Sequence, residues 1–86
     1  MIKEMLDVIA KTIADKPEEV SVQEVNGDTT SIFEIKVAKS DLGKLIGKDG
    51  KTAQAIRNLV YACSFKYNKK RFAIEIQSKE DFDNKK

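Results

Sequence analysis

Eighty-six residues, with sixteen lysines and arginines against fourteen acids, no histidine and one cysteine, make a small and nearly neutral chain. A single domain of this size buries roughly 60–65% of the surface its unfolded form exposes, which leaves too little chain for a catalytic cleft with a lid. The lone Cys63 excludes an intrachain disulfide and the lack of histidine excludes a Cys/His zinc site, so a reducing, cytoplasmic setting without cofactors is expected.

Met1 to Asp7 carries acids and no long apolar run, and is read as neither signal peptide nor membrane span. Ile2, Met5, Leu6, Ile9, Ala10 and Ile13 recur at helical spacing with Lys3, Glu4, Asp7 and Lys11 between them. This predicts an amphipathic helix, ended by Pro17 because the residue before a proline is pushed out of helical geometry. Val20 to Val25 is β-branched at Val20, Val22 and Val25 and predicts a strand. Asn26-Gly27-Asp28 then predicts a hairpin, its turn at Asn-Gly, where both residues accept positive φ. Phe33, Ile35 and Val37 alternate with Glu34 and Lys36, so the return strand has one buried face.

The period then changes. Ser40 is read as the cap of a short helix through Asp41, Leu42, Lys44, Leu45 and Ile46. Gly47 to Gly50 interrupts it with a tight turn, and a second helix starts near Lys51-Thr52. Ile56, Leu59, Val60 and Cys63 are its apolar stripe, extended toward the loop by Ala53, and Ile56, Leu59 and Val60 are read as core. Cys63 is taken for a small hydrophobe and not a reactive thiol. Tyr61 and Phe65 are read as half-buried aromatics in preference to a dimer contact. Asn68 is the expected stop. Phe72, Ile74 and Ile76 alternate with Ala73, Glu75 and Gln77 in a last strand. The stretch from Ser78 is polar apart from Phe82, so a single domain is expected over 1–78 and a disordered tail over 79–86.

The order helix, strand, strand, helix, helix, strand predicts an α+β domain of two layers. Its three-stranded mixed sheet has an antiparallel hairpin and a parallel, right-handed crossover, with three helices on one face.

Charge is unevenly spread along that order. Met1 to Ile35 has three lysines against eight acids, whereas Lys36 to Arg71 has ten basic residues against Asp41 and Asp49 alone. A basic middle third is the footprint of a phosphate-binding face, or else a solvated lysine-rich surface. The glycine loop lies inside it. A phosphodiester backbone needs close donors in a positive field, and glycines let amide N–H groups approach phosphate oxygens at a helix start. Lys44, Lys48 and Lys51 surround the loop, and Arg57 lies one to two turns further on. The competing reading is that Gly47 and Gly50 only turn the chain between helices. Tyr67-Asn68-Lys69-Lys70-Arg71 is either a wet turn or a second phosphate contact. Gly50-Lys51-Thr52 copies the end of a P-loop, but Leu45 stands where the first glycine belongs, and no enzyme is expected.

Leu42-Gly43-Lys44-Leu45-Ile46-Gly47-Lys48-Asp49-Gly50-Lys51-Thr52-Ala53-Gln54-Ala55-Ile56-Arg57 resembles the KH signature, in which an I-G-x-x-G element joins two helices. The element order is similar to the type II arrangement, and the short chain resembles the KhpA family of small bacterial KH proteins. The resemblance covers the chain from the first helix to Ile76. It implies single-stranded RNA as partner, held as about four nucleotides in a groove, and a role as RNA chaperone or post-transcriptional regulator. The site it implies comprises Gly43, Lys44, Ile46, Gly47, Lys48, Asp49, Gly50, Lys51 and Arg57. Ile46 would line the groove floor, although the spacing also suits a core residue, and Gly43 would keep the first of the two helices slim. Base edges would be read near Ile35 to Ala38. Two departures stand out: Asp49 puts a negative charge in the loop, and Ala53 replaces a larger aliphatic residue, making the groove shallower. The resemblance also implies pairing, with itself as a homodimer or with a larger KH-containing RNA-binding protein. The alternative function is thus a dimerisation or protein-interaction module with little RNA affinity.

Overall fold

The computed structural model describes residues 2–67 and 71–79, with the backbone alone for residues 64–67. In chain order the elements are α1 (Ile2–Ile13), β1 (Ser21–Asn26), β2 (Thr30–Val37), α2 (Leu42–Ile46), α3 (Lys51–Tyr67) and β3 (Arg71–Ser78). Single 3-10 turns at Pro17–Glu19, Lys39–Asp41 and Lys48–Gly50 join them. This is the expected α+β order and a type II KH topology. β2 is the central strand, antiparallel to β1 and parallel to β3.

Alternation decides which face the helices cover. Ser31, Phe33, Ile35 and Val37 of β2 are buried, and the register sets Val22 beside Ile35, Ile74 beside Phe33 and Ser78 beside Val37. Leu6 and Ala10 of α1, Leu45 of α2, and Ala53, Ile56 and Val60 of α3 are buried with them. Phe33 and Phe72 stack with ring centroids 5.7 Å apart, an offset aromatic pair on the helix-covered face.

Several local expectations are corrected. α1 stops at Ile13, short of Pro17, which instead opens a 3-10 turn. The hairpin turn is not Asn-Gly: Gly27 N–H donates to Thr30 O at 2.8 Å, so Asp28 and Thr29 occupy the corner, and neither Asn26 nor Gly27 has positive φ. Asn26 serves by its side chain, accepting from Ser31 Oγ at 2.8 Å. Ser40 does not cap α2; the residue before that helix is Asp41, whose side chain is used elsewhere. The last strand, read from Phe72 to Gln77, runs from Arg71 to Ser78, and Ser78 is fully buried. Asn68, the Phe65 side chain and residues 80–86 lie outside the described residues.

Leu59 and Tyr61 are also corrected, being 50% and 61% exposed. α3 offers the sheet only a narrow stripe of Ala53, Ile56, Val60 and Cys63, and Leu59 projects about 100° around the helix from Val60. Cys63 is half-buried beside Met5, Sγ to Sδ 3.8 Å, as a soft apolar contact. Among the described residues no helix is long and apolar enough to cross a membrane, and no cluster of His, Cys, Asp and Glu could hold a metal ion.

Candidate nucleic-acid interface

Gly47 ends α2 after five residues by donating its N–H to Gly43 O at 2.8 Å. Its φ of 79° and ψ of 168° fall in a region essentially restricted to glycine. Asp49 is left-handed at φ 57°, ψ 25°, and Gly50 has φ 75°, so the loop carries positive φ at every residue but Lys48. Aspartate is among the few residues that tolerate this conformation, which accounts for an acid at a point where charge alone would disfavour one. The bonds closing the loop use the N–H groups of Gly47, Gly50 and Lys51; those of Lys48 and Asp49 take no part in them.

The two glycines are not equivalent. A Cβ at Gly47 would lie 2.7 Å from both Cβ and N of Thr52 and meet its Oγ1, whereas one at Gly50 would meet nothing within 4 Å. Gly50→Ala should therefore cost about 1 kcal/mol, the left-handed penalty alone. Gly47→Ala should cost clearly more, because the first turn of α3 must move as well as the loop. Thermal melts of the two variants check the order, and equal costs would contradict it.

Around the loop the basic residues divide. Lys44 is paired with Asp15, and that hydrogen bond holds its ammonium pKa above the ordinary lysine value. Lys48, Lys51 and Arg57 make no ion pair among the described residues and are exposed. Arg57 projects into a groove of about 200 Å³ between α3 and β3, lined also by Val60, Tyr61, Phe72, Ala73 and Ile74. Ile46 is 37% exposed, so it lies at the surface and not in the core, while Ala53 is buried. Gly43 is exposed with open space where a Cβ would stand.

The strand beside this surface is not the expected one. Ile35 to Val37 belongs to the central strand, where Ile35 and Lys36 pair with both neighbours and Val37 with β3, so these backbone groups face other strands of the sheet. Among the described residues, the sheet edge near α3 is that of β3. The sequence reading thus missed Tyr61 and Phe72 as groove residues, and a crossover that parallels β3 to β2 was the signal that could have exposed them.

The sequence matches the family model described as KhpA/KhpB, KH domain, over residues 3–76. It is 51% identical to RNA-binding protein KhpA of Clostridium perfringens over 80% of this chain and 92% of that protein. Identity to RNA-binding protein KhpA of Clostridium acetobutylicum is 48% over 87% of this chain and 99% of that protein, and to that of Chlamydia trachomatis 49% over 80% and 88%. Among solved structures it resembles Era in complex with MgGDPNP and nucleotides 1506–1542 of 16S ribosomal RNA. There the TM-score is 0.60 at 17% identity, over 90% of this chain and 29% of that one, a likeness of fold. A matched family model over nearly the whole domain, with relatives near half identical, places the chain in the KhpA/KhpB family of KH-domain proteins.

Proposed function

We infer that this protein binds single-stranded RNA with little sequence preference, as a chaperone or post-transcriptional regulator in the cytoplasm, and that the loop Gly47-Lys48-Asp49-Gly50 grips the phosphate backbone. The observation that carries the reading is the loop conformation. Positive φ at Gly47, Asp49 and Gly50 turns the chain so that the Lys48 and Asp49 N–H groups are spared from closing the turn. Backbone donors in such a bend, with Lys48 and Lys51 beside them and α3 opening behind, form an anion-binding concavity. The KhpA relatives are named as RNA-binding proteins, which supports the same polyanion. From the loop, the strand would run past Gly43 and Ile46 toward Arg57 and the groove beside β3, where bases meet apolar side chains. The compact domain is taken to span 1–78. Nothing in this chemistry senses a 2′-hydroxyl, so short single-stranded DNA serves as a competitor in the test.

A second reading rests on the exposure of Leu59, an apolar side chain on the flank of α3 turned away from the groove that Tyr61 lines. It would pair this chain with a second copy or with a larger KH-containing protein. The two readings separate by salt. RNA affinity should fall steeply with added salt, with a log–log slope of about −0.7 for each phosphate neutralised. An apolar dimer should be unmoved by salt and broken by Leu59→Glu. Anisotropy of a labelled oligonucleotide and sedimentation of the protein, both from 50 mM to 500 mM salt, measure the two. RNA affinity that is flat across this range would overturn the backbone grip.

A further inference from the structure

The parallel register sets Val37 beside Ser78, so β2 and β3 end together and the segments leaving them emerge side by side. Lys39 follows one strand and Lys79 the other. Lys16 is drawn in from a third direction, because its backbone N–H donates to Asp41 Oδ2 at 3.0 Å, just before α2. These three lysines, with Glu19, Ala38 and Ser40, line a surface hollow of about 520 Å³. Of the described lining residues only Glu19 is acidic, with its Oε1 4.0 Å from Lys79 Nζ. Lys16 and Lys39 have no ion pair among the described residues. Lys44 nearby is committed to Asp15 and does not add to the hollow.

Three lysines around one concavity repel one another, and the carboxylates of Glu19 beside Lys79 and of Asp41 beside Lys16 leave the described residues there net positive by one charge. Lys16 is tied in through its own backbone, and Lys39 and Lys79 follow directly from the ends of paired strands; mutual attraction brings none of them there. A small, multiply bonded oxyanion satisfies such an arrangement, and the Ser40 hydroxyl adds a neutral donor. α2 lies between this hollow and the glycine loop, a rise of about 7.5 Å for its five residues.

We propose that this hollow is a phosphate-binding site separate from the glycine loop, taking a phosphate mono- or diester group on Lys16, Lys39, Lys79 and Ser40. The phosphate comes either from further along the strand that the loop holds, a source that rests on the RNA reading, or from a free phosphorylated small molecule.

The test is to titrate isotope-labelled protein with orthophosphate, tetrauridylate and octauridylate while following backbone amide shifts. Shifts at Lys16, Lys39, Ser40 and Lys79 with octauridylate but not tetrauridylate establish the strand as the source. In that case Lys39→Gln/Lys79→Gln should weaken octauridylate roughly tenfold at low salt and cut its salt slope by about 1.4, leaving tetrauridylate unchanged. Saturable shifts of the same amides with orthophosphate, lost in the double variant while octauridylate affinity is unchanged, establish the free ligand. Amides around the hollow that stay still with all three probes overturn the proposal, whatever the loop does. Silence at the loop amides with shifts at the hollow would instead overturn the loop reading and leave this site standing.

Discussion

Lys48→Asp should lower single-stranded RNA affinity by about a hundredfold at low salt while leaving the melting temperature within a few degrees of the parent. The side chain is exposed and carries no ion pair among the described residues, so removing it strands no partner and opens no cavity. The electrostatic change is large because it has two parts. One positive charge leaves the loop, and a second carboxylate appears next to Asp49, so the spared N–H groups of residues 48 and 49 would sit between two anions. A unit charge near a phosphate is worth about 1 kcal/mol in water and several at a half-desolvated surface, and two units of change there give the hundredfold expected. Asp49→Asn is the matching control. Asparagine also tolerates the left-handed conformation of residue 49, so the bend survives while one repulsion is removed, and affinity should rise several-fold. Anisotropy titrations of both variants, with melts alongside, decide the matter. Full affinity in a folded Lys48→Asp protein would show that the strand does not run over this loop.

Much of this architecture is written in local periodicity. The β2 alternation of Phe33, Ile35 and Val37 and the α1 stripe of Leu6 and Ala10 each follow from one period over consecutive residues, and both faces are buried as the spacing predicts. The loop was legible for a related reason, since glycines at positions 47 and 50 between two short apolar runs leave few conformations, and Gly47 takes one that glycine alone accepts readily. What failed was whatever needed a neighbour distant in sequence. The hairpin corner moved from Asn-Gly to Asp28-Thr29 because the cross-strand register, with Asn26 opposite Ser31, outweighs the turn preference of one dipeptide. Leu59 fits the helical stripe on spacing, but how wide a stripe the sheet can cover depends on the crossing geometry of α3, which no local pattern records. The base-reading strand was misplaced because sequence order does not say which strand is central. With β2 between β1 and β3, the available edge passes to β3.

Asp41 is the clearest case of a residue silent in sequence, and replacing it should produce the largest loss of stability. Its side chain is fully buried, and its two oxygens accept from the Asp15 N–H at 3.1 Å and the Lys16 N–H at 3.0 Å. A partner 25 or 26 residues away leaves no spacing to read. The contact ties the segment after α1 to the start of α2, and so fixes where α2 and the glycine loop begin. Asp41→Ala leaves both donors without their acceptor and should lower the melting temperature by on the order of 10 °C. The carboxyl is held below the ordinary aspartate value of 3.8, first by the Lys16 N–H against the opposing effect of burial, then by the Asp15 N–H and the charges of Lys44 and Lys16. Unfolding restores the ordinary value, so below about pH 4 the unfolded chain takes up the proton first. This contribution is thus complete at neutral pH and lost as pH falls through the depressed value of the folded state. Asp41→Asn cannot titrate, and its amide turns a donor toward one of the two N–H groups. Melts of parent and Asp41→Asn from pH 6 to pH 3 should show a wide gap at pH 6 that narrows steadily with acid. A gap that stays constant would mean that the buried carboxylate does not hold this corner of the fold by its charge.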